Sequence, residues 1–146
     1  ISVVIFAVII TGVMLTWNKY NVKIDEQIKY NDFLVRTFHI SDLLSKYEGK
    51  PKDWDRYGDV EVLGLAEREG IISKNKLNNF TDMEYGEIKD KLNINFYEFY
   101  FELSPINSGD FETISIGTRS GNQSVNIRRI VLYEGDEAIM EVSMWQ

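Results

Sequence analysis

The side chains able to carry chemistry are few, and their spacing does not gather them. The chain holds one histidine and no cysteine. That excludes thiol catalysis, a cysteine-ligated metal and a disulfide scaffold, and leaves the redox compartment undecided. His39 falls within a helical pattern and reads as a surface or boundary residue, because a catalytic imidazole needs an oriented partner that the sequence does not supply. No Ser/His/Asp set, phosphate-binding glycine loop or metal-ligand spacing occurs anywhere. The sequence therefore predicts no catalytic residue, no cofactor-binding residue and no cofactor.

Four clusters merit a sharper look. In "DWDRYGDVE", Asp53, Asp55, Asp59 and Glu61 surround Gly58, which resembles part of a calcium loop. Tyr57 stands at an expected ligand position and Gly64 replaces the bidentate glutamate, so the reading is an acidic loop; Asp53, Asp55 and Asp59 are the metal candidates, with no metal site predicted beyond them. Trp54 in the same stretch reads as a lid on the core. Asn79-Phe80-Thr81 and Asn122-Gln123-Ser124 are glycosylation sequons, making Asn79 and Asn122 candidate acceptors. Phe96 to Phe101 alternates with period two, which assigns most of its rings to a core rather than a ligand groove. Arg128 and Arg129 alternate across one strand, so they cannot clamp an anion together.

The elements that must position these residues start with a run of oil. Ile1 to Trp17 carries no charge and as a helix would be about 25 Å long at 1.5 Å per residue, slightly short of a bilayer core. Trp17 and Tyr20, with Lys19 and Lys23, look like an interfacial anchor. Tyr20, Ile24, Ile28, Val35 and Phe38 continue at helical intervals, widened by Leu34, Leu43 and Leu44, and Gly49 with Pro51 supplies the stop. One helix is predicted to about residue 47, on the order of 70 Å. Its first half is apolar all round; its second half offers a stripe for a folded domain to cover. The expected organisation is 1–17 as a hydrophobic filament-core or membrane helix, 18–50 as its amphipathic continuation, and 51–146 as a β-rich head.

Beyond Pro51, Val60 to Ala66 reads as a strand or tight turn. Thr81 with Glu84 resembles a capping box, predicting a short helix from Asp82 to Leu92. Strands are predicted at Ile94 to Leu103, with Tyr97, Phe99, Phe101 and Leu103 on one face, and at Phe111 to Thr118. Val125 to Tyr133 and Ala138 to Trp145 flank the hairpin turn Glu134-Gly135-Asp136. Ala138, Met140, Val142 and Met144 point one way. The class is α+β: a long N-terminal helix packed on a C-terminal antiparallel sheet of about four strands. The formal net charge is −7 and no basic cluster occurs, so nucleic acid is excluded as a partner.

A chain that opens on its hydrophobic segment, continues as one helix and ends in a sheet resembles a type IV pilin. Its detail resembles the archaeal pilins with class III signal peptides, which commonly begin the mature chain with Gln-x-Ser-x-Glu. Ile1-Ser2-Val3-Val4 fits that pattern with one Gln before Ile1. "PKDW" before "LGLA", "EYGEIKDKL" running into "FYEFYFEL" and the closing "RRIVLYEGDEAIMEVSMW" also look like the globular halves of these proteins. Val4 departs from the pattern, standing where the family usually carries Glu.

What the resemblance implies is a homo-oligomer, a helical filament of identical subunits on the cell surface, serving adhesion and catalysing nothing. A prepilin peptidase would cut a basic leader, one more positive than Lys19 and Lys23 together. The subunit would wait in the cytoplasmic membrane until the pilus assembly machinery moved its helix into a bundle. Ile1, Val4, Ile5, Ala7, Val8, Thr11, Gly12 and Leu15 would pack between subunits, the small residues allowing close approach. Two alternatives stand beside this one: a minor pilin at the initiating or tip position, which the missing Glu favours, and a membrane-anchored extracellular binding domain that never assembles.

Overall fold

A computed structural model describes residues 2–107, 111–119 and 124–146. The first element is a single helix, α1, Ser2–Lys46. It is followed by α2 (Trp54–Tyr57), β1 (Ala66–Arg68), β2 (Ile71–Ile72), α3 (Lys74–Asp82), α4 (Tyr85–Lys91), β3 (Glu98–Pro105), β4 (Ile114–Ile116), β5 (Val125–Tyr133) and β6 (Asp136–Trp145). The chain divides into two compact units, 1–34 and 35–146.

The class is α+β, but the sheet is larger and less uniform than the sequence predicts. It has six strands in the order β1-β2-β5-β6-β3-β4. Three long pairings are antiparallel, as expected: β3 with β6, β5 with β6 and β3 with β4. The correction is β2, which runs parallel to β5 through Ile71 opposite Leu132 and Ile72 opposite Tyr133. A two-residue strand gives no periodic signal. It is held by the Leu132 amide donating to the Gly70 carbonyl at 2.8 Å.

The β5–β6 hairpin closes through two residues, Glu134 and Gly135, both at positive φ (53° and 97°). This is the primed-turn geometry whose twist matches that of the strands, and it lets β6 start at Asp136. Ala138, Met140, Val142 and Met144 share one sheet face with Phe99, Phe101 and Leu103, and all are fully buried. Phe80 meets Phe101 edge to face, with ring centroids 5.3 Å apart, an arrangement favoured by the ring quadrupoles. Tyr97 lies outside β3 and packs instead under the Arg36 guanidinium, 5.9 Å from its ring.

Of the two readings of Val60 to Ala66 the turn holds, and two further expectations are corrected. Val60 to Ala66 forms no strand before Ala66: it is a close-packed turn with Val60, Leu63 and Leu65 buried and one bridge from Val62 to Lys50. The proposed capping box is not formed. Thr81 lies inside α3, its hydroxyl donating to the Asn78 carbonyl. Met83 is extended (ψ 146°) and separates α3 from α4. Finally, the helical stripe is covered only at its end: Tyr20, Ile24, Ile28, Leu34, Val35 and Phe38 are exposed, Leu43 is half-buried and Leu44 is buried. The face of α1 that the sheet covers is Thr37, Ile40, Ser41, Leu44 and Ser45. Its small residues let the Arg129 guanidinium reach the helix: Nε donates to Ser41 Oγ at 2.7 Å and Nη2 lies 2.6 Å from Asp42 Oδ1. The helix ends at Lys46, and Gly49 supplies the left-handed conformation (φ 87°) just beyond it.

Candidate functional site

From Val3 to Leu15, ten large apolar side chains are exposed. Burying a Val, Leu, Ile, Phe or Met side chain is worth about 1.5–3 kcal/mol, so this segment alone holds roughly 15–30 kcal/mol of unrealised burial. That exceeds the roughly 5–15 kcal/mol net stability of an ordinary domain. Its few polar atoms are satisfied internally: the Thr11 hydroxyl donates to the Ala7 carbonyl and the Thr16 hydroxyl to the Gly12 carbonyl, each at 2.8 Å. That suits an apolar surrounding in which water is not available as a partner. By length and composition α1 is able to cross a membrane. Of the predicted packing residues, Val4, Ile5, Ala7, Val8, Thr11, Gly12 and Leu15 are all exposed on this helix, and Ile1 lies outside the described residues.

Several polar groups of the head, by contrast, are paired with one another. On the sheet face opposite the core, Glu141 is buried with both carboxylate oxygens engaged. Arg128 Nε lies 2.6 Å from one, and Arg119 Nη2 lies 3.2 Å from the other. Arg119, on the segment after β4, also reaches Glu102 at 3.2 Å and stacks over Tyr100 at 5.1 Å. Tyr100 donates to Glu102, and burial raises its pKa. Strand alternation assigns Glu141 to solvent, so no sequence signal marks this network; the chain returning over the sheet creates it.

Lys76 is a buried cation. Its ammonium donates to the Glu48 carbonyl at 2.6 Å and the Ala66 carbonyl at 3.1 Å, tying α3 to the chain after α1 and to β1. Burial lowers its pKa, against the opposing pull of Asp55, Glu48 and Asp53. Tyr85 closes the free edge of β3, accepting from the Phe99 amide and donating to Glu98 Oε2, each at 2.8 Å. Burial is the main cause raising its pKa to about 12.

The other predicted residues scatter. His39 is exposed. Among the described residues no group of three His, Cys, Asp or Glu side chains is placed to hold a metal ion, so Asp53, Asp55 and Asp59 do not converge. Asp55 lies in the first turn of α2 instead, and its carbonyl accepts from the Asn79 amide at 2.6 Å. Asn79 is half-buried on α3, a poor acceptor for a bulky glycan; Asn122 lies outside the described residues. Trp54 is wholly buried, its indole donating to the Gly64 carbonyl at 3.0 Å, so it is a member of the core rather than its lid. Arg128 and Arg129 serve different partners, Glu141 and Asp42. A groove of about 340 Å³ beside them is lined by Ser45, Lys46, Glu69, Gly70 and residues 128–131. Each of its cations is already paired, Lys46 with Asp42 at 3.0 Å, leaving no free charge for an anionic ligand.

No protein-family model, no curated protein and no solved structure matches this chain.

Proposed function

We propose that the chain is a non-catalytic structural subunit of a surface filament of the archaeal type IV pilus kind, used for adhesion. The observation that carries the reading is the continuity of α1. One unbroken helix runs from a wholly exposed apolar front, Ser2 to Trp17, to a face sealed against the sheet at Ile40 and Leu44. The front half must find an apolar surrounding outside its own chain, first a membrane and then a bundle of identical helices. Moving from lipid to bundle exchanges one apolar surrounding for another, so close packing decides the outcome. Small residues at Ala7, Thr11 and Gly12 favour that exchange. The head forms the outer surface. Prepilin peptidase and an assembly machinery are the partners this route needs.

Val4 favours a second form of the same reading, a minor subunit at the initiating or tip position. Electron microscopy of material sheared from the native host, with intact-mass analysis of its protein, tests both. Thin filaments made mostly of this chain support the major-subunit role. Filaments that contain it in a few copies support the minor one. Recovery in membranes alone, with a leader still attached, leaves a membrane-anchored head and overturns both.

A further inference from the structure

Each residue of a helix advances by about 100°, and between Asn18 and Leu34 the side chains of α1 sort accordingly. Tyr20, Ile24, Ile28 and Leu34 fall within a sector of about 120°, and all four are exposed; Gln27 and Asn31 place amides in the same sector. Within about 60° of its edges the charges are of one sign on each side; Glu26 lies about 20° beyond Lys19, and Lys29 about 40° beyond Asp25. Lys19 and Lys23 border it on one side, within about 60° of its edge; Asp25 and Asp32 border it on the other. Asp32 is already engaged within its own chain. Lys19, Lys23 and Asp25 enter none of the ion pairs among the described residues. Lys23 and Asp25 sit roughly 160° apart around one helix, so they cannot pair on their own chain.

One basic flank and one acidic flank make a surface complementary to itself in one orientation only. In antiparallel copies the lysine flank meets a lysine flank. In parallel copies turned toward a common axis, the lysine flank of each meets the aspartate flank of the next. We propose that this sector is a contact between parallel copies of the chain, with Lys19 and Lys23 of one copy facing Asp25 of its neighbour. The proposal rests on the filament reading and adds to it the surface that fixes orientation and register. Bringing those residues level displaces neighbours by two to six residues, about 3–9 Å along the axis. A contact that repeats with such a displacement stays open and builds a helical row instead of a closed ring. Exposed ion pairs are worth only about 0.2–1 kcal/mol each. The charges therefore select the arrangement, while the apolar segment supplies the affinity.

The absence of native cysteine makes the test clean. The full-length chain carrying both Lys23→Cys and Asp25→Cys is expressed in its host, and membranes and sheared surface material are oxidised and run without reductant. A ladder of dimers, trimers and higher species from the double variant, with at least a fivefold loss of dimer in either single variant, supports the contact. Strong dimer from Lys23→Cys alone means that like flanks meet, and overturns it. Charge reversal gives a second readout: Lys23→Glu or Asp25→Lys lowers filament yield about fivefold, and the double reversal restores it to within about twofold. Filaments without a ladder and without that rescue overturn this contact but leave the filament reading intact. A ladder in membranes from a chain that never forms filaments supports the contact and removes the filament.

Discussion

Lys76 brings an ammonium group into the head with no carboxylate in ion-pair contact among the described residues. It meets two backbone carbonyls instead. Those carbonyls belong to segments that make no regular ladder with α3, so the lysine substitutes for secondary structure at the junction. Lys76→Met keeps the volume and removes the donors, and lowers stability at pH 7 by about 1–3 kcal/mol. The sign of the pH dependence follows from the lowered pKa. In the native chain Lys76 releases its proton before the unfolded chain does, so stability rises with pH between the lowered value and the ordinary 10.5. A neutral amine still has two hydrogens for the two carbonyls. Thermal unfolding of both proteins at pH 7 and pH 10 therefore shows the gap between them widening at the higher pH; a constant or narrowing gap assigns Lys76 no buried charge. Nothing in the sequence marks this lysine. It stands in the polar run "KNKLNN", and only the turn at Gly64 and the end of α1 converging on it make it internal.

At the scale of elements, the long signals were legible and the short ones were not. The hydrophobic front of α1 and the alternation through β3, β5 and β6 each repeat over many residues. Chance does not imitate such repeats. The two-residue β2 and the break between α3 and α4 are decided by single contacts, and there the capping-box pattern at Thr81 and Glu84 misleads. The stripe from Tyr20 to Phe38 is a real pattern that is left exposed, because periodicity reports a face and not what covers it. Gly64 is the sharpest local constraint. A methyl there would lie 2.3 Å from the Tyr47 carbonyl oxygen and 2.4 Å from the Gly49 amide nitrogen, both backbone atoms. Gly64→Ala forces the chain after α1 away from the turn that receives Trp54, and costs about 3 kcal/mol. Gly86 is the contrast: it sits in α4 with open space around it, so Gly86→Ala stabilises by about 0.5–1 kcal/mol. Denaturant melts of the two variants should move in opposite directions, and a Gly64→Ala protein as stable as the parent would mean that the close approach is not required.

At the scale of the molecule, the two compact units differ in what they need. Residues 35–146 contain the buried core and the ion pairs that hold it, whereas the apolar front of α1 has no cover of its own. A chain truncated to 35–146 is expected to be monomeric by sedimentation and to unfold in one cooperative transition without detergent; a fragment that aggregates or melts gradually would show that the head depends on the helix before it. The candidate site was legible as an oily segment, and the resemblance it prompted supplied the filament. The sealed polar networks of the head were not legible, because they depend on which strands meet. The most direct measurement is cysteine accessibility in material sheared from the cell surface. Val8→Cys places a thiol in the apolar front and Asn75→Cys places one on the exposed side of α3; each full-length variant is challenged with a water-soluble maleimide. If the apolar front is the core of a filament, the head thiol labels within minutes and the Val8 thiol stays protected until the filaments are dissolved in detergent. Equal labelling at both positions in intact filaments, or filaments that lack this chain, would contradict it.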